Sequence, residues 1–575
     1  MNTSVDDIIN RTVIANRLDS ITGEMGLVLE HSAHSPIFAE ACDFACCICD
    51  ENGELVSQLS GIPILATAGA FSVKAVLAKY KNNIEDGDVF ILNDPYNGGN
   101  HLPDIGIITP IFAENKLIFF CVSRAHHGDI GGSTAGSYNP KATEIFQEGI
   151  RIPPTKLMKN DEMISEILDF ITINTRNPGM IKSDLLAQIG SNRLAVKRIK
   201  EMVSTYGANA VKKAVKETQN QTEALTRSRI KEIPDGTYTA TEYIDDDGFQ
   251  EEPVKIQVAV KVKGDKLLVD FEGTDSQVKG FINTSKVTAT TAAGIGVLWF
   301  LGADIPRNGG AFRCVDVNLP LGSLVNPREG APVTLCTLTP ASEIIGTIFQ
   351  ALDKAIPGKV AAGTGRYAGP SFYGTDPRTN RYYVGFSFCS TGSAGAIKGY
   401  DGKPYISAMS NFGGVKNPNI ESNEIQYPHT TLYHEMQTDT AGAGEFRGGC
   451  GMHFAFEIND EHSHIVMFGD GMKFSPYGLA GGKNGSLNRG VFVHHGEKIT
   501  LASKEAPRKG GKGDRVYLNA SGGGGWGNPF KRSAEKVYAD VLDEIISVEH
   551  AKDDYGVVIT DSGIDYKATA LLRGE

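Results

Sequence analysis

Apolar residues recur at helical spacing over residues 4–29. Val5, Ile8, Ile9, Val13, Ile14, Leu18, Ile21, Met25 and Val28 make one stripe there and predict a helix. A hairpin is expected over residues 41–60, where the strand ACDFACCICD turns at Asp50, Glu51, Asn52 and Gly53 into ELVSQLS. Helical patterning returns at 68–80, strands at 88–92 and 117–122, a short helix at 143–146 and another at 161–173. A long helical run covers 182–230, broken near Tyr206 and Gly207, and its charge predicts an arm or hairpin on the surface. From 237 to 271 the period falls to two, as in VKIQVAVKVKG and LLVDFEGT, which reads as an antiparallel unit. Helices are expected near 286–302, 339–355 and 532–543, and strands near 381–389, 394–399, 452–458, 465–468 and 516–518.

The pattern predicts an α+β, multidomain chain with mixed sheets, a long helical arm and a glycine-rich, mainly β C-terminal part. A chain of 575 residues exceeds what one hydrophobic core organises. The expected divisions are an α+β domain at 1–180, the helical arm at 181–233, an α+β middle domain at 234–410 and the glycine-rich part at 411–575. Apolar strands separate the glycine runs, so these runs read as tight turns joining short strands around a shared site or interface. Acidic and basic residues are mixed along the chain with a net charge of -12, and no basic stripe marks a nucleic-acid partner. The acidic N-terminus lacks an apolar leader core and no run of eighteen apolar residues occurs, so no membrane role and a cytoplasmic location are expected. Four of the nine cysteines crowd the segment CDFACCIC, whose spacing reads as a buried strand of reduced thiols rather than a zinc finger.

Chemistry concentrates in ILNDPYNGGNHLPDI, residues 91–105. There a strand runs into a tight turn that holds His101 and Asp104 three residues apart. A second knot, RAHHGDIGG, carries Arg124, His126, His127 and Asp129. Asp43, an acid within an apolar strand, needs a cation or several donors. Two imidazoles and two carboxylates suit zinc, manganese or iron better than calcium. Adjacent residues of a strand point to opposite faces, so His126 and His127 cannot both be ligands. His429, His434, Glu435, His462 and His464 offer a second cluster, or equally a half-exposed sheet edge. The glycine runs match no nucleotide fingerprint, because GGKNG lacks P-loop spacing and SGGGG lacks a lysine. ATP, if used, is expected on another chain.

The segments NDPYNGGNHLPDI, AHHGDIGG, EGIRIPPTKL, DLLAQIGSNRLAV, TAGAGEFRGGCG, GLAGGKNG and SGGGGWGNP together resemble the hydantoinase B/oxoprolinase family. Its members include the B-type parts of ATP-dependent hydantoinases and 5-oxoprolinases, and subunits of acetone and acetophenone carboxylases. The likeness runs over nearly the whole chain and implies a hydantoinase B-like fold. By motif, the family's metal ligands fall on His101, Asp104 and His126, with Asp43 as the fourth ligand of the lactam-opening branch. His127 and Asp129 become candidate catalytic residues that position water or substrate. The resemblance implies an ATP-dependent cyclic amide hydrolase acting on a caprolactam, 5-oxoproline or hydantoin-like ring. A hydantoinase A-like partner subunit, in an α2β2 heterotetramer, would bind ATP and phosphorylate the ring oxygen. This chain would then hold zinc, or alternatively manganese, and deliver water, with His127 or a neighbouring carboxylate accepting the proton. The competing readings are a subunit of an ATP-dependent ketone carboxylase and a non-catalytic scaffold.

Overall fold

The computed structural model describes residues 5–59, 61–388, 391–406, 408–411 and 413–575. Chain contacts group into two compact units, residues 1–239, 257–345 and 414–418 in the first and 240–256, 346–413 and 419–575 in the second. The expected boundaries at 180 and 233 both fall inside the first unit.

The first unit opens with α1 (Val5–Ser32) and the one-turn α2 (Pro36–Ala39), whose N-cap Ser35 accepts from Ile37 N. The hairpin β1 (Phe44–Asp50) and β2 (Leu55–Gln58) leads into α3 (Pro63–Tyr80). β3 (Val89–Leu92), β4 (Asp104–Ala113), β5 (Lys116–His126), β6 (Thr155–Lys159) and β7 (Glu162–Met163) complete an antiparallel sheet in the order β2-β1-β5-β4-β3-β6-β7. α4 (Ser165–Ile173), α5 (Pro178–Tyr206) and α6 (Ala208–Ile230) follow, with Gly207 making the expected break.

Both faces of this sheet are covered, which is why its strands read as nearly continuous apolar runs. On one face Phe90, Leu92, Ile108, Phe120 and Val122 pack with Val73 and Val76 of α3. On the other, Ile91, Ile105 and Ile107 pack with Leu185 and Ile189 of α5. α5 is amphipathic: it turns one face in against the sheet and leaves Lys182, Leu186, Arg193, Lys197 and Lys200 exposed on the other. Its inner face is partly polar: Asp184, Gln188, Ser191 and Asn192 are all buried. Each has a specific partner. Asp184 accepts from the backbone N–H groups of His34 and Ser35, Gln188 donates to Ile105 O and Ser123 O, Ser191 donates to Met25 O, and Asn192 donates to Ile107 O. Paired in this way, polar side chains are tolerated in a core, and hydropathy alone cannot separate them from a solvated face.

β8 (Gly236–Ile244), β9 (Val254–Lys263), β10 (Lys266–Asp270) and β11 (Val315–Asn318) form a four-stranded sheet in the order β11-β10-β9-β8. α7 (Lys286–Leu301), α8 (Gly309–Phe312) and α9 (Ala341–Asp353) lie in the same stretch of chain.

Two larger antiparallel sheets build the second unit. β12 (Ala368–Asp376), β13 (Arg381–Phe386), β16 (Ser463–Gly469) and β19 (Glu505–Gly510) form one, ordered β13-β12-β16-β19. β14 (His429–Met436), β15 (Met452–Ile458), β17 (Arg489–His494), β18 (Glu497–Leu501) and β20 (Arg515–Ala520) form the other, ordered β14-β15-β20-β17-β18. Phe372, Phe454, Phe456, Ile465, Phe492 and Leu518 fill a common core. Four short elements unmarked in the sequence pattern, α12 (Val548–Tyr555), β21 (Ile559–Thr560), β22 (Gly563–Ile564) and α13 (Tyr566–Arg573), follow α11 (Ala534–Leu542).

The glycine runs serve close approach as well as the expected turns, which Gly481 and Gly513 make at φ 92° and 88°. Gly523 N donates to Gly449 O, Gly524 N to Gly363 O and Gly525 N to Lys483 O, so backbones pack directly on backbones. A Cβ on Gly523 would lie 1.9 Å from Ala394 O, and one on Gly448 would lie 1.9 Å from Gly523 O. The strand expected at 394–399 is absent for the same reason. Ala396 donates to Gly524 O and Ala394 O accepts from Gly449 N, leaving only an isolated bridge between Ile397 and Tyr400. The eight cysteines among the described residues are all buried free thiols.

Two outcomes follow for stability. Gly523→Ala should destabilise by about 3 kcal/mol or more, since the neighbour it meets is backbone. Gly190→Ala, in open space within α5, should stabilise by about 0.5–1 kcal/mol; urea unfolding of the two variants checks the contrast. His429 is buried against Phe372 and Phe456, and burial, reinforced by the Arg378 charge, pushes its pKa down to about 3. The unfolded chain takes up that proton below about 6.5. Stability from this group is therefore complete above pH 6.5 and lost as pH falls toward 3, by about 2–3 kcal/mol at pH 4.5. His429→Phe should flatten the melting temperature between pH 7 and 4.5.

Candidate metal centre

β4 begins at Asp104 and β5 ends at His126, and the antiparallel register sets these two residues directly opposite each other. On the other side of β5, Phe44 pairs with Ala125, and His126 N donates to Asp43 O at 3.0 Å. Asp43, His126 and Asp104 thus fall on one line across three strand ends, with side chains on one face because cross-strand partners share a face. Asp43 stands just before β1 rather than within it.

His101 is brought to this line by the turn between β3 and β4. Buried Asn93 holds the turn from inside, donating to Leu102 O at 2.7 Å and Ile150 O at 3.0 Å while accepting from Ile152 N at 2.7 Å. Asp94 accepts from Tyr96 N and pairs with Arg151. Gly99 passes so close to Asn93 that a Cβ would lie 2.2 Å from its carbonyl oxygen. His101 then donates Nδ1–H to Thr334 O at 2.8 Å, with the Thr337 hydroxyl 3.1 Å from the same nitrogen. That bond selects the tautomer and turns the Nε2 lone pair toward Asp104.

The result is a triangle of ligand atoms. His101 Nε2 lies 3.1 Å from Asp104 Oδ1 and 3.1 Å from His126 Nδ1, and His126 Nδ1 lies 3.5 Å from Asp104 Oδ1. Ligands about 2.1 Å from a common centre stand about 3.0 Å apart in an octahedron and about 3.4 Å apart in a tetrahedron, so these edges fit either geometry. Asp104 Oδ2 is buried with no hydrogen-bond partner among the described residues, a further reason that a cation suits the site. Burial alone raises the Asp104 pKa, but His101 and His126 more than reverse this and hold it well below the usual carboxylate range. Asp43, half-buried, lies outside the triangle yet feels it. Burial pushes its carboxyl up to about 6, with His126 and His101 opposing and Asp104 reinforcing.

The other expected residues are placed differently. His127 follows His126 on the opposite face, 3.0 Å from Gln188 Oε1 and edge-on to Phe38. Burial pushes its pKa down to about 4, and its Nδ1 has no hydrogen-bond partner among the described residues. Asp129 accepts from Gly131 N, Gly136 N and Arg176 and so braces the glycine loop after β5. The histidines considered for a second centre are dispersed. His429 is in the aromatic core, His434 packs on Phe454 and Tyr405, and His464 stacks on Tyr373.

A family model described as hydantoinase B/oxoprolinase matches residues 7–529. The chain belongs to the hydantoinase B/oxoprolinase family. It is 33% identical over 581 aligned positions to the beta chain of the caprolactamase of Pseudomonas jessenii, covering 99% of both chains. It is 31% identical to the B component of a putative D-/L-hydantoinase from a Pseudomonas species, covering 99% of this chain and 98% of that one. The crystal structure of the ATP-dependent caprolactamase from Pseudomonas jessenii superposes with a TM-score of 0.93 over all of both chains at 30% identity.

Within this family fold several supporting residues had no role in the sequence reading. Arg124, fully buried two residues before His126, donates to Ser72, Gly98 O and Asp104 O. Glu148 accepts from Val333 N and Thr334 N and thereby fixes the carbonyl that His101 uses. Tyr138 stacks on His126 at 5.9 Å. Arg124 and Glu148 sit inside the motifs RAHHGD and EGIRIPP, but Thr334 and Thr337 are more than 200 residues from His101 and carry no local signal. Asn93→Ala should cost about 2–4 kcal/mol, because it strands three buried backbone groups, and the urea midpoint checks it.

Proposed function

We propose that this chain is the metal-holding subunit of an ATP-dependent cyclic amide hydrolase, opening a caprolactam, hydantoin or 5-oxoproline-like ring. The observation that carries the reading is the His101, Asp104 and His126 triangle at the ends of β4 and β5, in a chain aligned end to end with the beta chain of a caprolactamase. A hydantoinase A-like subunit, in an α2β2 assembly in the cytoplasm, is the proposed ATP-binding partner that phosphorylates the ring oxygen. An unactivated amide is a poor electrophile, and phosphorylation of its oxygen provides a leaving group.

Asp43, His101, Asp104 and His126 are the proposed ligands of zinc, with manganese the alternative. A divalent metal there would polarise an oxygen and lower the pKa of water. Thr334 keeps the His101 lone pair aimed inward, and Asp104 stays anionic at any physiological pH. A neighbouring carboxylate is proposed to take the proton rather than His127, whose buried ring lies on the opposite face of β5 against Gln188 and Phe38. Asp129 holds the glycine loop in place through Arg176.

The test is ATP consumption by the co-purified pair against lactams, hydantoins and ketones, with and without bicarbonate. Ring opening coupled to ATP and indifferent to bicarbonate is expected. Turnover confined to a ketone plus bicarbonate would replace this reading with a carboxylase. His101→Ala should lose activity and the metal held at this centre, whereas Thr337→Val should weaken affinity there by about 10–100-fold. Elemental analysis separates the two, and full metal content in His101→Ala would refute the ligand set.

A further inference from the structure

A second group of ligand-type side chains lies in the second unit, outside everything assigned above. β17 and β18 are joined by a two-residue loop, His495 and Gly496, between the paired residues His494 and Glu497. Both loop residues have positive φ, 49° and 85°, as a type I′ turn requires. Asn is favoured at the first of these positions, and a histidine there is uncommon. The left-handed backbone at His495 defeats strand alternation and brings the two adjacent imidazoles together, with ring centroids 4.1 Å apart.

Both face a fixed carboxylate. Asp514, nearly fully buried, accepts from Gly511 N at 2.9 Å, from His495 N at 2.9 Å and from His494 Nδ1–H at 2.7 Å. One ligand atom from each of His494, His495 and Asp514 lies within 4.8 Å of the other two. His495 is exposed and His494 half-buried, so the group is open to an ion from solvent. Its anion is anchored by two backbone donors and needs no rearrangement. Its imidazoles sit on a hairpin tip, so only the His494 to Asp514 contact must open for an ion to enter.

We propose that His494, His495 and Asp514 form a second, solvent-facing divalent cation site. Two imidazoles and one carboxylate select copper(II), nickel(II) or zinc(II) over magnesium or calcium. A bound ion would tie the β17–β18 tip to the loop that precedes β20, extending the link that the β17–β20 ladder makes as far as Val493 and Arg515.

The experiment is copper(II) titration of the chelator-stripped full-length chain, read by electron paramagnetic resonance, in the wild type and in His101→Ala. In His101→Ala one equivalent should remain, with hyperfine coupling from two imidazole nitrogens. His495→Asn places the preferred turn residue at the left-handed position and so keeps the hairpin. In the same background it should remove one nitrogen coupling and weaken binding by about tenfold or more. His494→Ala should do the same. Unchanged affinity in both variants, or a spectrum without two nitrogens, would overturn the site. The count in wild type separates this proposal from the first centre. Two equivalents, one of them weakened in His495→Asn, support both sites, and a single equivalent weakened by that change supports this one while removing the other.

Discussion

The site depends on register. Asp43, His126 and Asp104 meet because three antiparallel strand ends, β1, β5 and β4, stop on one line. A slip of one residue between β4 and β5 would send Asp104 to the face that His127 occupies. The sheet is protected from such a slip by burial on both sides, since each face carries its own apolar set matched to α3 or α5. Gln188 adds a polar lock at the critical end. Its amide donates to Ile105 O and Ser123 O, and its oxygen lies 3.0 Å from the His127 ring. One residue of α5 thus touches both strands just inside the ligand line.

Charge is arranged with similar economy. Among the described residues the buried guanidinium of Arg124 makes no bond to a carboxylate and instead donates to Ser72, Gly98 O and Asp104 O, tying the His101 turn to β5. Burial pushes two nearby carboxyls, Asp43 and Glu148, up to about 6 and about 7. Only Asp104, with both histidines against it, is driven strongly to the anionic form. Nearest the triangle, full negative charge is therefore concentrated on Asp104, whose buried Oδ2 lacks a protein donor among the described residues.

Much of this was legible in the chain and some was not, for identifiable reasons. His101, Asp104 and His126 stood out because strands running into glycine and proline turns hold them at short spacing, and the structure brings those three together. The helix pair broken at Gly207 was readable from its apolar period. How wide the buried face of α5 is was not, because Asp184, Gln188, Ser191 and Asn192 look solvated until their backbone partners are known. The supports from Thr334 and Thr337 were invisible for a different reason: they are contacts across more than 200 residues, and no local pattern encodes them. The expectation for 394–399 failed because its hydrogen bonds go to glycine backbones rather than to a strand.

Glycine itself does two jobs here, and separating them bears on whether its densest run could cradle a phosphate. In the His101 turn, Gly98 at φ 93° reverses the chain and Gly99 lets it pass Asn93. In α5, Gly190 meets nothing and does neither. In the run Gly522–Gly525 the requirement is contact between main chains, and that contact uses the very groups a phosphate would need. The N–H of Gly523 is given to Gly449 O, that of Gly524 to Gly363 O, that of Gly525 to Lys483 O and that of Gly522 to the Ser486 hydroxyl. A phosphate cradle works by presenting unsatisfied backbone donors. This run, the most glycine-dense in the chain, has already committed its donors to its own fold and so offers a phosphate no such cradle.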